Sequence, residues 1–263
     1  MRVLITGAFG AIGSAIALDF AQRGDSLILL DRVSGPECHS TETGNLYAEP
    51  WRIEECTYVV DFRRPDQVEK LLISISMSED VDILINCAGV QHIGAIQDQS
   101  LDVWSDVMNI NLTASFLTMK YLLPGMCQRG FGRVINVSSV HGLVASLGKA
   151  PYVSSKHGLV GLTKVAALEV AGCGDSDSGG VTVNAICPGW VDTPLLDEQV
   201  AEIAKSTQTS REDALAEMLA AKQPSPRLTK PSDVARLVAF LCEPTSHNIT
   251  GASIPIDGGW ISQ

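Results

Sequence analysis

Tyr152 and Lys156 stand four residues apart in the run Tyr152-Val153-Ser154-Ser155-Lys156, and Ser139 precedes the tyrosine by thirteen residues. Four residues is about one helical turn, so the phenol and the ammonium share a face. An ammonium near a phenol favours the phenolate and lowers a pKa that starts near about 10. A serine hydroxyl can hold an oxygen beside that phenol. A Tyr–Lys pair is common by chance. A serine at the end of a strand, thirteen residues upstream, makes the set specific for proton transfer at an alcohol or carbonyl oxygen, with Tyr152 as the acid–base.

A second constellation can hold a nucleotide. Thr6-Gly7-Ala8-Phe9-Gly10-Ala11-Ile12-Gly13 joins an apolar run to a helical one. Glycines allow a tight turn there, and the N–H groups of Ala11, Ile12 and Gly13 would face a pyrophosphate. The spacing is not the GxGxxG fingerprint, so on its own it also fits a plain strand–helix turn. Asp31 follows Gly7 by 24 residues. A carboxylate there accepts from both adenosine ribose hydroxyls and repels a 2′-phosphate, which favours NAD over NADP. Arg32 argues the other way, because a cation could pair with that phosphate. Asp61-Phe62 could hold the adenine, and the small residues of Asn86-Cys87-Ala88-Gly89 let the backbone approach the cofactor.

These residues must be positioned by a scaffold, and the chain alternates strand with helix. Short apolar runs occur at 3–5, 27–30, 57–60, 81–85, 133–137, 181–186 and 253–256, with helical periodicity at 11–22, 65–76, 101 to about 128, 151–171 and 232–241. Such alternation builds a parallel sheet covered on both faces. The expected fold is α/β, a Rossmann-like doubly wound parallel sheet of about seven strands in a single domain spanning 1–263. The nucleotide and acid–base residues fall at strand C-termini, where an open α/β sheet binds its ligand. Ser34–Pro50 reads as a surface loop and Gly172–Gly180 as a flexible insertion with no catalytic role. The segment 195–221 is helical in pattern and reads either as a lid over the site or as a permanently packed helix pair.

Bulk properties narrow the function. The chain has 263 residues, 45% hydrophobic and 19% charged, enough to bury a large core without disulfides. A net charge of −11 excludes the basic face that nucleic acid or an anionic membrane requires. It does not exclude a small anionic substrate, because local cations override a distant field. Seven scattered cysteines without a CxxC pair read as reduced thiols of a cytoplasmic protein. The five histidines lack metal-ligand spacing, so no metal site is expected. No signal peptide is expected, and no apolar run approaches the roughly 20 residues of a membrane span.

The glycine turn, the Asn86-Cys87-Ala88-Gly89 segment, Asn111 in the run NINL, Ser139, the Tyr152/Lys156 pair and Pro188-Gly189 together resemble the short-chain dehydrogenase/reductases over essentially the whole chain. Ala11 where glycine is commoner, and Cys87 where a second asparagine is usual, are small departures. The resemblance implies that Lys156 binds ribose and tunes Tyr152, that Ser139 holds the substrate oxygen, and that Asn111 holds a water in a proton relay. It adds Pro188, Val191 and Thr193 to the residues that hold the cofactor, and it implies a homotetramer.

The loops around this site suggest the substrate. Gln91, His141, Lys149 and Gln199 offer two possible cations and two amides for a carboxylate. Trp190 and Trp260 could wall off a short carbon chain. Core or subunit packing is the plainer role for the indoles, and solvation for the lysine. The segments GVQHIGAI, HGLVAS, AAKQPSPRLTKP and DGGWISQ resemble those family members that interconvert D-3-hydroxybutyrate and acetoacetate with NAD. That resemblance implies carboxylate binding by Gln91, His141, Lys149 and Gln199. The alternatives are another secondary alcohol, a sugar alcohol or a 3-oxoacyl substrate and, from a different class, a non-catalytic NAD-binding sensor.

Overall fold

All seven apolar runs are strands: β1 (Arg2–Thr6), β2 (Ser26–Asp31), β3 (Cys56–Val59), β4 (Ile83–Asn86), β5 (Phe131–Val137), β6 (Gly180–Pro188) and β7 (Ser253–Ile256). The structure, a computed structural model, describes residues 1–33, 56–175 and 177–262. The expected loop Ser34–Pro50 lies outside the described residues. The strands form one parallel sheet in the order β3-β2-β1-β4-β5-β6-β7. The order reverses between β1 and β4, which opens a crevice at their C-terminal ends.

Side chains alternate across the sheet and meet two cores. On one face Leu4, Ile28, Leu84, Val134 and Val183 pack against α2 (Pro65–Ser78), α4 (Ala114–Arg129) and α5 (Ala150–Val170). On the other, Val3, Ile5, Leu27, Leu29, Ile83, Ile85 and Ile135 meet α1 (Ala11–Gln22) and α8 (Pro231–Cys242). With both faces covered, the strands are mostly apolar, with Arg133 on β5 and Thr182 and Asn184 on β6 among the buried polar exceptions. This is the Rossmann-like, doubly wound single domain that the alternation predicted. No helix among the described residues is long and apolar enough to cross a membrane.

The stretch expected as one helix from 101 to about 128 is interrupted. It contains α3 (Leu101–Met108), a turn of π-helix at Asn109–Thr113, and then α4. The π turn inserts an extra residue into the helical ladder, and such turns recur at functional sites. Here it carries Asn111, which is fully buried. The segment 195–221 is a helix pair, α6 (Pro194–Thr207) and α7 (Arg211–Ala220). Leu196, Val200 and Ala214 form a small core of their own there, against Trp190, Ile203, Leu215 and Met218. Arg211 on α7 pairs with Asp197 on α6.

Two expectations need correction. Cys127 and Cys173 are joined in a disulfide, so the cysteines are not all free thiols. Sequence spacing gave no sign of it, because the two lie 46 residues apart and meet only once α4 and α5 pack side by side. The described residues of the insertion Gly172–Gly180 are also tied down. The disulfide fixes its start, and the Asp175 carboxylate accepts from the N–H groups of Asp177 (3.0 Å) and Ser178 (2.8 Å). At its end the fully buried Arg133 guanidinium donates to the carbonyls of Gly179 (3.1 Å) and Gly180 (2.9 Å).

Closing a loop of this length is worth at most about 4 kcal/mol by chain entropy. Cys127→Ser, or reduction of the wild type, should lower the melting temperature by roughly 5–10 °C while leaving turnover unchanged, because the bond sits at the sheet end opposite the crevice. Differential scanning calorimetry with and without reductant checks this. An unchanged melting temperature would mean that the pair contributes no stability.

Candidate active site

The glycine turn after β1 is docked on the end of β2. Gly7 N–H donates to the Leu30 carbonyl at 2.8 Å. A side chain at Gly7 would place its Cβ 2.7 Å from the Ala88 Cα, and one at Gly13 would come within 2.1 Å of the Gly7 carbonyl oxygen. Both glycines are therefore forced by close approach: the first to the loop after β4, the second where α1 starts. Thr6 seals the same junction, its hydroxyl accepting from Cys87 N–H (3.1 Å) and Ala88 N–H (3.2 Å). The turn leaves the first N–H groups of α1 directed to the crevice, which suits a pyrophosphate.

Asp31 lies at the C-terminal end of β2. Its carboxylate accepts from Phe9 N–H (2.9 Å) and Arg32 N–H (2.7 Å). A carboxylate has about four acceptor positions, so capacity remains for a diol. The other adenine-side expectations fare less well. The Phe62 side chain packs into the core with Val68 and Leu72. Asp61 is gripped by the Arg63 guanidinium, at 2.7 Å from Arg63 Nη2, and that hydrogen-bonded cation holds its carboxyl below the usual range. The Asn86 side chain is likewise engaged within the protein. Its amide donates to Asn136 Oδ1 (2.8 Å) and accepts from the Thr118 hydroxyl (2.7 Å). Asn136 in turn donates to Thr163 Oγ1 (2.9 Å). All four residues are nine-tenths or more buried. This chain of side chains runs from α4 through β4 and β5 to α5.

From that braced level the acid–base candidates project. Ser139 leaves the end of β5, and Tyr152 and Lys156 sit in the first two turns of α5, whose Pro151 suits a helix start. The Ser139 hydroxyl accepts from His141 N–H at 3.2 Å and lies beside the Tyr152 phenol in the same cavity. Lys156 Nζ lies 5.8 Å from the Tyr152 ring centroid and donates to the Val137 carbonyl at 2.8 Å. Asn111 brackets the loop after β4. It accepts from Val90 N–H (2.8 Å) and donates to the Val90 carbonyl (2.9 Å) and to Ser155 Oγ (3.0 Å). Gly89 lies between Lys156 and Asn111: a Cβ there would be 3.4 Å from Lys156 Nζ and 3.6 Å from Asn111 Oδ1.

The electrostatics differ from the sequence expectation. Burial holds the Tyr152 phenol above its ordinary pKa, and the neighbouring Ser139 hydroxyl only partly offsets this. Burial also pushes the Lys156 ammonium down to about 8. Desolvation is the larger influence on both groups, raising the phenol and lowering the ammonium.

Beside these residues is a cavity of about 130 Å³. Its lining includes every side chain expected at the substrate: Gln91, Ser139, His141, Lys149, Tyr152, Trp190, Gln199 and Trp260. Ile12, Pro188, Val191 and Thr193 border it from the cofactor side. His141 is edge-on to Tyr152 and to Trp260, with centroids 6.0 and 5.5 Å apart, and the two indoles pack at 5.2 Å. Burial, reinforced by the Lys149 charge, pushes His141 down to about 4, so it is neutral near pH 7. The expected two cations are thus one. Lys149 is 8% exposed, lies 5.5 Å over the Trp190 ring, and has no carboxylate partner among the described residues. Burial lowers its pKa too.

A family model described as "Enoyl-(Acyl carrier protein) reductase" matches residues 7–261. The chain belongs to the short-chain dehydrogenase/reductase family. This short-chain dehydrogenase is 39% identical over 261 residues to the D-beta-hydroxybutyrate dehydrogenase of Cupriavidus necator, across 99% of this chain and 97% of that relative. It is 35% identical over 268 residues to the protein of the same name from Rhizobium meliloti, across 99% and 98%. Among solved structures, a 4-hydroxyisoleucine dehydrogenase complexed with NADH superposes with a TM-score of 0.84 at 26% identity, covering 100% of this chain and 99% of that one.

Sequence reasoning missed several residues of the dehydrogenase's site. Ser138 and Val140 line the cavity beside Ser139, and Leu196 reaches it from α6. Asn136 carried a signal: it and Asn86 are both asparagines at strand ends. Their pairing rests on β4 and β5 being neighbours, and that is a tertiary fact.

The raised phenol predicts that, in the cofactor-free protein, Tyr152 stays protonated until above about pH 10. The difference in absorbance at 295 nm between the wild type and Tyr152→Phe, followed through an alkaline titration, checks this. A Tyr152 phenolate already present near pH 8 would show that the Lys156 charge overrides burial.

Proposed function

We propose that this oxidoreductase uses NAD to interconvert (R)-3-hydroxybutyrate and acetoacetate. The observation that carries the reading is Lys149: a buried ammonium with no counter-ion among the described residues, facing a small cavity that also holds Ser139 and Tyr152. An uncompensated buried charge is costly, and a ligand carboxylate relieves that cost. The cavity volume suits a short acid, not a steroid or a long acyl chain. Gln91 and Gln199 supply further polar contacts, and neutral His141 a ring nitrogen. Trp190 and Trp260 enclose the short carbon chain and keep water out.

The residues at the crevice fit a dinucleotide. The forced glycines Gly7 and Gly13 and the α1 N-terminus form a cradle for a pyrophosphate. Asp31 faces a ribose diol and opposes a 2′-phosphate, which favours NAD. Ala88, Gly89, Pro188, Val191 and Thr193 complete the cofactor side, with Lys156 on the nicotinamide ribose. When bound, the nicotinamide supplies the hydride acceptor or donor. The protein handles the proton. In oxidation the Tyr152 phenolate takes the hydroxyl proton as the carbon loses hydride, and Ser139 steadies the oxygen as it becomes a carbonyl. Lys156 favours ionisation of Tyr152, and Asn111 passes the proton outward through water. The α6–α7 segment acts as a lid, contributing Leu196 and Gln199. Exposed Phe116 on α4 with Val165 and Leu168 on α5 suits assembly into a homotetramer. The site of action would be the cytoplasm, where the Cys127–Cys173 bond would face a reducing thiol pool.

Initial rates with (R)- and (S)-3-hydroxybutyrate, each with NAD and with NADP, test the reading. Turnover of the R form with NAD alone is expected. Turnover only of neutral alcohols would remove the hydroxy-acid assignment, and preference for NADP would remove the role of Asp31. Lys149→Ala should raise KM for hydroxybutyrate by about tenfold or more, with KM for NAD little changed. Equal effects on both would take Lys149 out of the carboxylate site.

A further inference from the structure

Gln223 follows α7 and is 2% exposed, yet it does not line the cavity. Its Nε2 donates to two backbone carbonyls, Ser225 at 2.8 Å and Arg227 at 2.7 Å, so one amide folds the returning chain around itself. Its Oε1 is buried with no partner. Buried amides are normally satisfied on both sides, so the side chain is held here at a cost. Its backbone N–H donates to the Leu219 carbonyl (2.7 Å), near the end of α7.

Across from the amide lies Gly258. A Cβ at Gly258 would come within 2.7 Å of Gln223 Cγ, Cδ and Nε2. Ser225 N–H donates to the Gly258 carbonyl at 3.0 Å. The Asp257 carboxylate then accepts from the N–H groups of Gly259 and Ile261, each at 3.0 Å. The turn so fixed carries Trp260, which is 7% exposed and packs on both His141 and Trp190 in the cavity wall. We propose that Gln223 is a positioning residue for the substrate cavity: it clamps the end of the α6–α7 pair onto Gly258 and thereby fixes Trp260 as a wall. The consequence for substrate affinity rests on the hydroxy-acid reading above; the clamp itself does not.

Gln223→Met keeps the length of the side chain and removes its donors. KM for (R)-3-hydroxybutyrate should rise by about tenfold, while KM for NAD stays within about twofold and kcat within about threefold. Because the effect runs through Trp260, the double variant with Trp260→Phe should be no worse than Trp260→Phe alone. Independently of any substrate, amide hydrogen exchange at 258–261 in the ligand-free protein should accelerate at least about tenfold, with α8 unchanged. Faster exchange with normal kinetics would leave Gln223 a structural residue only. Additive KM effects, equal effects on both KM values or unchanged exchange would each overturn the proposal. If the wild type oxidises a different alcohol, the hydroxy-acid reading fails, and the same comparison with that alcohol decides the role of Gln223. Should Gln223→Met not fold, Gln223→Glu carries the test. Acidification protonates its carboxyl and restores a donor, so exchange at 258–261 relative to wild type should slow as pH falls, and its failure to slow would overturn the proposal.

Discussion

The side-chain bond from Asn86 to Asn136, 2.8 Å long and fully buried, locks the ends of β4 and β5 in register. Two facing asparagines in a buried sheet are tolerated because every group of their side chains finds a partner, with Thr118 closing one end and Thr163 the other. The loops leaving this level carry Ala88 and Gly89 on one side and Ser138, Ser139 and His141 on the other. α4 and α5 are tied to the same network. The separation between the glycine turn and the acid–base residues is therefore set by a network with little freedom to relax.

The site above that network is built from desolvated charges handled in different ways. Lys156 is pushed down to about 8 and retains one strong acceptor, the Val137 carbonyl. Lys149 has the Trp190 face and no carboxylate among the described residues. His141 relieves the local repulsion by staying neutral. In each case burial is the larger influence.

Much of this was legible in the sequence. The strands announced themselves because a parallel sheet buried on both faces demands short continuous apolar runs. The cavity residues were legible because they follow strand ends, where loops are short and side-chain types are unconstrained by packing. What escaped depends on distance along the chain. Helical periodicity does not register one extra residue, so the π turn at Asn111 was read as continuous helix. Cys127 and Cys173 gave no spacing signal because their meeting depends on how two helices pack. Phe62 and Asn86 sit where cofactor contacts were expected, but a strand end has two faces, and their side chains take the inward one. The charge on His141 was misjudged because residue type does not report solvation.

The cavity wall draws on chain segments made at very different times. The glycine turn is synthesised first, and Ser139, Tyr152 and Lys156 lie near the middle. Trp260 follows Lys156 by 104 residues and is the last lining residue to leave the ribosome. A nascent chain thus holds the glycine turn and the Ser139, Tyr152 and Lys156 set while one wall of the cavity is still untranslated. The Trp260 wall is the last part of the cavity to be made, after the strand that closes the edge of the sheet.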